Sequence, residues 1–165
     1  MIQKKVCILG AFAVGKTSLV HRFTEGDFVE RYLTTVGVHI KKGAVTVNQT
    51  EVTLILWDLA GEDEFQKVQL SYLRGAAGYF LVADGTRPTT LDTAKILHKR
   101  VTDTIGAVPF VLLINKQDAR DDWELDDRVL DEFTQAGWTI IETSAKTGAG
   151  VAEAFQQIAE KTLQS

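Results

Sequence analysis

Apolar runs alternate with segments of helical period along the chain. The apolar runs predict six strands, at Val6–Gly10, Val36–Val47, Glu51–Asp58, Gly78–Asp84, Pro109–Asn115 and Trp138–Thr143. The segments between them predict helices at Gly15–Phe23, Thr90–Ile105, Glu124–Ala136 and Gly150–Leu163. In the last of these, apolar residues recur at helical spacing on one face.

This alternation predicts the fold class. Strands that alternate with helices form a mostly parallel sheet with helices on both faces. The second and third strands meet at a turn around Asn48 and Gln49, which predicts a hairpin and one antiparallel edge strand. Ligands of such sheets bind outside the carboxyl ends of the strands, and the unusual polar residues of this chain fall at those ends.

Composition and charge narrow the functional classes. With 165 residues, 45% of them hydrophobic and 24% charged, the chain fits one domain, residues 1–165, with a substantial core. A net charge of −4 gives no electrostatic footprint for nucleic acid or anionic lipid. We therefore expect no nucleic-acid binding. Because no apolar run reaches the ~20 residues that span a bilayer, we also expect that the protein does not cross a membrane.

The cysteine count and the chain ends bear on location. Cys7 lies within a predicted strand, which predicts a buried core thiol and suits a reducing cytoplasm. Residue 2 is Ile rather than the Gly that myristoylation needs, and the tail AEKTLQS has no cysteine to prenylate. We expect a cytoplasmic protein with no covalent membrane anchor in this chain.

GAFAVGKT, Gly10–Thr17, has the spacing of a phosphate-binding loop between a strand and a helix. Backbone N–H groups at the helix N-terminus would cradle phosphates. The Lys16 ammonium would reach the β- and γ-phosphates, and the Thr17 hydroxyl would ligate Mg²⁺. The alternative is a glycine turn before an ordinary amphipathic helix.

WDLAG, Trp57–Gly61, ends the third predicted strand. Asp58 is placed to hold the Mg²⁺ through water, although an Asp before a turn is also a common cap or turn former. Gly61 has no side chain, so its backbone N–H could approach a terminal phosphate closely.

NKQD and SAK follow two later strands. The Asp118 carboxylate could accept two hydrogen bonds from the N1–H and 2-amino groups of guanine, a pair that adenine lacks. Asn115 and Lys116 would tie this loop to the phosphate loop, with the Lys116 stem over the base, and the Ala145 N–H could meet guanine O6. Alone, NKQD also fits an ordinary polar loop. Its order after the other two motifs favours base recognition.

Together, GAFAVGKT, TTVGV, WDLAGED, NKQD and SAK resemble the motif set of small GTPases of the Ras superfamily, and the resemblance covers essentially the whole chain. VGVHI after Thr35, Trp57 before Asp58 and YLRGAAGYFLVAD are similar to the Rab branch. The resemblance implies an α/β, three-layer P-loop NTPase fold, with a six-stranded mostly parallel sheet, one antiparallel edge strand and about five helices. It also implies a switch that binds GTP or GDP with Mg²⁺ and hydrolyses GTP.

The resemblance extends to single residues. Thr35 matches the switch I threonine that meets Mg²⁺ and the γ-phosphate, with the adjacent Thr34 as the alternative register. Phe28 matches an aromatic over the guanine ring, or else it packs on the core. The predicted nucleotide contacts are Ala13, Val14, Gly15, Lys16, Thr17, Ser18, Phe28, Thr35, Gly61, Asn115, Lys116, Asp118, Ser144, Ala145 and Lys146. The predicted metal ligands are Thr17, Thr35 and Asp58, and the predicted catalytic residues are Glu62, Lys16 and Thr35.

The resemblance also implies effector and regulatory proteins that bind at switch I, around Thr35, and at switch II, around Glu62–Tyr72. In Rabs, partners read an exposed aromatic set, and Trp57, Phe65 and Tyr72 match it, while Ile40 stands where an aromatic is usual. The alternative for each of these side chains is plain core packing.

Two departures from the family bear on catalysis. Glu62 replaces the glutamine that orients the attacking water, and an ionised carboxylate only accepts hydrogen bonds. Two alternatives remain open. A protonated Glu62 could imitate glutamine, or the carboxylate could act as a base towards water. Phe12 replaces a glycine of Ras itself and would crowd a partner's arginine finger, worth roughly 10³–10⁵ in rate. Arg31 fits either a finger within this chain or a solvated loop side chain. We predict slow hydrolysis and resistance to finger-type activators.

Two other functions compete with the switch. A GTP-binding interaction module without turnover is favoured by Glu62 and Phe12. A P-loop kinase for a small molecule is disfavoured, because NKQD and SAK would have no role in it and no arginine-rich lid is evident.

Overall fold

The computed structural model describes residues 2–24, 31–32, 38–59 and 71–164, with the backbone alone at 31–32. Its strands are β1 (Ile2–Gly10), β2 (Arg31–Tyr32), β3 (His39–Val47), β4 (Thr50–Asp58), β5 (Gly78–Asp84), β6 (Phe110–Asn115) and β7 (Ile140–Glu142). They form one sheet in the order β2-β3-β4-β1-β5-β6-β7. The pairs β2–β3 and β3–β4 are antiparallel, and all other neighbours are parallel.

All six predicted strands are present, and the predicted α/β class with an antiparallel edge is confirmed. The two-residue β2 is a seventh strand, added outside β3. The last strand is shorter than predicted, because only Ile140–Glu142 keeps a regular ladder with β6.

The described helices are α1 (Lys16–Thr24), α2 (Thr89–Ile105), α3 (Asp127–Gln135) and α4 (Val151–Gln164), with a 3₁₀ helix at Gln117–Asp122. The predicted start of α3 at Glu124 is three residues early. Asp126 caps this helix, since its carboxylate accepts a hydrogen bond of 2.9 Å from the Arg128 N–H. None of the described helices is long and apolar enough to cross a membrane.

The core has two halves, one on each face of the sheet. Along β1, Val6 and Ile8 pack into one half, and Cys7 and Leu9 into the other, as the alternation of a strand requires. Helices α1 and α4 cover the first half, while α2 and α3 cover the second. The three-layer arrangement follows from a sheet that is apolar on both sides.

Cys7 is fully buried and forms no disulfide, which confirms the predicted core thiol. Burial raises the pKa of Cys7 to about 12, and the nearby Lys5 ammonium opposes that shift only in part. The thiol is therefore neutral at physiological pH and contributes to packing.

The carboxyl ends of the parallel strands meet at one edge of the sheet. Asp58 at the end of β4 pairs in register with Ile8 near the end of β1. Asp84 at the end of β5 pairs with Asn115 at the end of β6. Three polar side chains from three strands are thus brought to one edge by the register alone.

Candidate functional site

The loop between β1 and α1 depends on both of its motif glycines. A Cβ on Gly10 would lie 2.6 Å from the Val82 carbonyl oxygen of the neighbouring strand. Gly15 has a φ of 100°, and a Cβ there would clash with the Asn115 amide nitrogen. Ala13 also has a positive φ, 63°. The loop is therefore a tight turn packed between the sheet and the Asn115 side chain.

A cleft of about 340 Å³ opens over this loop and the start of α1. It is lined by Ala11, Phe12, Ala13, Val14, Gly15, Lys16, Thr17, Ser18, His39, Asp58 and Leu59. We call it the phosphate cleft. All the contacts predicted from Ala13 to Ser18 line it.

Lys16 places a buried cation in the phosphate cleft. Its side chain is 8% exposed, and burial lowers the pKa of Lys16, while the Asp58 charge opposes that shift. An ammonium that has lost its water is stabilised by an anionic partner. The cleft is thus suited to an anion.

The side chains of Thr17 and Asp58 place two possible metal-ligand oxygens next to each other. The Thr17 hydroxyl donates to the Asp58 carboxylate at 2.6 Å. Burial raises the pKa of Asp58, and the Thr17 hydrogen bond and the Lys16 charge oppose the rise. A hydroxyl beside a carboxylate provides oxygen ligands of the kind that Mg²⁺ prefers. The described residues contain no cluster of three or more His, Cys, Asp or Glu side chains that could hold a metal ion.

A second cleft of about 340 Å³ adjoins the first. It is lined by Gly15, Ser18, Asn115, Lys116, Asp118, Ala145 and Lys146. We call it the base cleft. Gly15 and Ser18 line both clefts, so the two clefts are neighbours, and we call them together the groove.

Asn115 joins three segments of the groove. Its amide nitrogen donates to the Val14 carbonyl at 2.9 Å, and its amide oxygen accepts from the Thr143 hydroxyl at 3.2 Å and the Ala145 N–H at 3.3 Å. The expected tie from Asn115 to the phosphate loop is therefore present. A buried side chain that uses both ends of its amide in this way fixes the relative positions of the segments that it joins.

Asp118 lies exposed in the base cleft. The Ser144 hydroxyl donates to its carboxylate at 2.6 Å, and this hydrogen bond holds the pKa of Asp118 below its ordinary value. An ionised carboxylate accepts hydrogen bonds and donates none. The cleft is thus suited to a ligand edge that carries donors.

Lys116 has a different partner from the expected one. Its ammonium lies 2.7 Å from the Asp84 carboxylate, and its backbone is left-handed with a φ of 73°. Asp84 is fully buried, and burial raises its pKa, but hydrogen bonds from Lys116 and Thr86 outweigh this, so the pKa of Asp84 is lowered overall. Lys116 thus pairs with β5 rather than with the phosphate loop.

Arg87, which sequence reasoning missed, makes the second tie to the phosphate loop. Its guanidinium donates to the Phe12 carbonyl at 3.0 Å and the Ala13 carbonyl at 3.3 Å. Asp84, three residues earlier, ends a strand at the same edge as Asp58 and Asn115. Its position at the end of a strand could have predicted, from the sequence alone, that polar contacts form around Asp84.

Several predicted residues lie outside the described ranges. They are Phe28, Arg31 as a side chain, Thr34, Thr35, Gly61, Glu62 and Phe65. Among the described aromatics, the rings of Trp57 and Tyr72 are 5.8 Å apart, and both side chains are half-buried. The Lys5 ammonium lies 3.8 Å from the centre of the Trp57 ring, while Ile40 is buried at 8% exposure.

The model of the Ras family matches residues 5–164. The chain belongs to the Ras family. Its curated relatives include Rab-7b of Mus musculus, 31% identical over 98% of this chain and 83% of that protein. Rab-12 of Mus musculus is 34% identical over 96% and 67%, and Rab-13 of Bos taurus is 32% identical over 96% and 79%.

These matches make the chain a Rab-like small GTPase, which confirms the resemblance read from the motifs. Members of the Ras and Rab families bind GTP and GDP, generally with Mg²⁺, and act as GTPase switches. The two clefts of this Rab-like chain are lined by residues of the GAFAVGKT, WDLAG, NKQD and SAK motifs.

Proposed function

We propose that this Rab-like GTPase binds GTP and GDP with Mg²⁺ as a molecular switch that hydrolyses GTP slowly, and that residues 1–165 form one G domain. The observation that carries the proposal is the pair of neighbouring clefts, with a buried cation and a hydroxyl–carboxylate pair in one and an ionised carboxylate in the other. A nucleoside triphosphate has the matching order of charge and hydrogen-bonding edges.

At the phosphate end, backbone N–H groups from Ala13 to Ser18 and the Lys16 ammonium hold the phosphates. Thr17, Asp58 and Thr35 hold Mg²⁺, which neutralises charge on the phosphates when bound. Gly61 and Thr35 contribute N–H groups to the γ-phosphate, so that loss of this phosphate releases both switches.

At the base end, Asp118 accepts hydrogen bonds from the N1–H and 2-amino groups of guanine. Guanine O6 accepts from the Ala145 N–H, whose bond to Asn115 is long at 3.3 Å and leaves room for a stronger partner. Ser144 and Lys146 fix Asp118 from the side, the first by its hydrogen bond and the second by its charge. Phe28 and the Lys116 stem cover the two faces of the base.

Slow turnover rests on Phe12 and Glu62. The Phe12 side chain is 76% exposed and lines the phosphate cleft, where it would crowd a water-orienting group or a partner's arginine. Glu62 offers a carboxylate where an amide could both donate and accept. The same exposed ring favours the second candidate, a GTP-binding module that does not turn over.

Effector and regulatory proteins bind through the switches, around Thr35 and around Glu62–Tyr72. The half-buried Trp57 and Tyr72 rings leave part of an aromatic surface accessible beside these segments. Aromatic side chains of this kind are enriched where proteins meet.

The test begins with the purified protein. Denaturation should release GDP or GTP, identified by chromatography, and single-turnover cleavage of GTP with Mg²⁺ should be slow but complete. GTP that stays intact for hours would support the non-hydrolysing module instead. Bound adenine nucleotide, or no heat from GDP with folded nucleotide-stripped protein, would contradict both. Asp118→Ala should lose the preference for guanine over adenine nucleotides, whereas Asp103→Ala, an exposed carboxylate on α2, should keep it.

A further inference from the structure

Arg87 reaches from the segment before α2 to the backbone of the phosphate loop. It donates to two successive carbonyls, those of Phe12 at 3.0 Å and Ala13 at 3.3 Å. We propose that Arg87 is a positioning residue, which turns the N–H groups of Ala13 and Val14 into the phosphate cleft and thereby strengthens the binding of the terminal phosphates. This inference rests on the proposed function, since it needs a phosphorylated guanine nucleotide in the groove.

The geometry of the peptide unit connects these contacts to the ligand. In a trans peptide, the C=O of one residue and the N–H of the next point in opposite directions. The carbonyls of Phe12 and Ala13 are held by Arg87, and that of Val14 is held by Asn115. The N–H groups of Ala13, Val14 and Gly15 are therefore directed away from these side chains, towards the cleft that the loop lines.

The loop needs this support because of its own sequence. Ala13 has a φ of 63°, a region that a residue with a Cβ adopts reluctantly. Phe12 is 76% exposed, so packing of its side chain does little to hold the loop. Two hydrogen bonds from a cation to the carbonyls of these two residues supply the restraint that neither side chain provides.

Arg87 is itself anchored at the end of β5. Its N–H donates to the Asp84 carbonyl at 2.9 Å, its carbonyl accepts from the Thr90 hydroxyl at 2.7 Å, and its guanidinium lies 3.7 Å from the Asp84 carboxylate. The same carboxylate binds the Lys116 ammonium. A single buried acid thus lies between the residue that holds the phosphate loop and the start of the base-recognition loop.

The effect should depend on the number of phosphates in the ligand. Gly15 and Ser18 line both clefts, so we expect the phosphate nearest the ribose to bind beside them. Further phosphates would then extend towards Ala13 and Val14. A loss of N–H orientation at these two residues should therefore weaken the binding of GDP much more than the binding of GMP.

The experiment measures GDP and GMP by competition against a fluorescent GDP derivative, with nucleotide-stripped Arg87→Ala. We expect GDP affinity to fall about tenfold, and GMP affinity by less than about twofold, as the loss of two charge-assisted hydrogen bonds at a partly exposed site implies. Arg87→Lys, which keeps the charge, should recover part of the GDP affinity. A ratio of two affinities also corrects for any fraction of inactive protein.

Arg120→Ala is the matched control. Arg120 is 44% exposed, against 41% for Arg87, and its guanidinium donates to the Glu142 carboxylate at 3.3 Å, outside the lining of either cleft. Its removal should leave the ratio of GDP to GMP affinity unchanged. If Arg87→Ala does not fold, Arg87→Gln keeps much of the stem and serves in its place.

Unchanged GDP affinity in the variant, or an equal loss for GDP and GMP, would overturn the role of Arg87 while leaving the proposed function intact. A wild-type protein that is folded and binds neither nucleotide would overturn the proposed function, and this inference with it.

Discussion

The two ends of the groove are built differently. In the base cleft, the exposed Asp118 is held by the buried Ser144, and the buried Asn115 and Thr143 are hydrogen-bonded to each other. The phosphate loop is held by the partly exposed Arg87 as well as by the buried Asn115, and it carries an exposed Phe12. The difference teaches that the supports of the base cleft are buried, whereas the phosphate loop depends in part on an arginine that is partly exposed.

Lys16→Ala should have the largest effect of these substitutions, and it should affect the phosphate cleft but not the base cleft. It removes the buried cation of the phosphate cleft and leaves the base cleft as it is. We expect GDP affinity to fall about 100-fold, as the loss of strong charge-assisted hydrogen bonds implies, and guanosine affinity to stay unchanged. Competition binding with both ligands measures this. Lys99→Ala removes an exposed lysine paired with Asp103 and should alter neither affinity; an equal loss for guanosine would show that the ends are not independent.

Asn115→Ala should damage both ends at once. It leaves the Val14 carbonyl, the Thr143 hydroxyl and the Ala145 N–H without their amide partner. We expect about 2 kcal/mol less stability in urea unfolding, because buried polar groups lose their hydrogen bonds. Gln156→Ala, which loses one exposed hydrogen bond to the Thr46 carbonyl, is the control and should change stability by well under 1 kcal/mol. Equal effects would mean that Asn115 is replaced by water.

Asp84→Asn should weaken the contacts of the Asp84 carboxylate with Arg87 and Lys116, and the resulting loss of stability should depend on pH. The folded pKa of Asp84 is lowered, so its contribution to stability is present above the ordinary pKa of about 3.9 and is lost as pH falls through the folded value. We expect the variant to be about 1–2 kcal/mol less stable near pH 7, with a gap that narrows below pH ~4. Thermal unfolding across pH measures the gap. Asp103→Asn, at an exposed carboxylate, is the control and should show little or no difference in stability from the wild type. If the difference for Asp84→Asn stays constant with pH, the charge of the Asp84 carboxylate is not its cause.

Phe12→Ala should have the smallest effect, and only on turnover. Because the Phe12 ring is 76% exposed, its removal should leave stability and GDP affinity nearly unchanged. We expect single-turnover cleavage of GTP to become several-fold faster as the cleft opens to the water-orienting residue. Ile96→Ala, another exposed large apolar side chain at 52%, is the control and should leave the rate unaltered. An unaltered rate in Phe12→Ala as well would show that the Phe12 ring does not limit turnover.

Sequence reasoning located Gly10, Asp58 and Asn115 because polar and glycine residues at the ends of apolar strands gather at one edge whenever those strands are parallel. It misplaced the start of α3, because the capping Asp126 lies within an acidic run in which several residues could cap. It missed Arg87 and gave Lys116 the wrong partner, since which cation reaches which carbonyl depends on side-chain packing across β5, β6 and the phosphate loop. The roles of Thr35, Phe28 and Glu62 stay predictions.

The buried Cys7 has a practical consequence for measuring these effects. A thiol that is fully buried, and whose pKa is raised by that burial, is a poor nucleophile towards maleimides at neutral pH. Since residues 1–165 contain no other cysteine, a single cysteine introduced on the surface would carry a fluorophore at one known position. The wild-type background thus needs no prior mutation for single-site labelling.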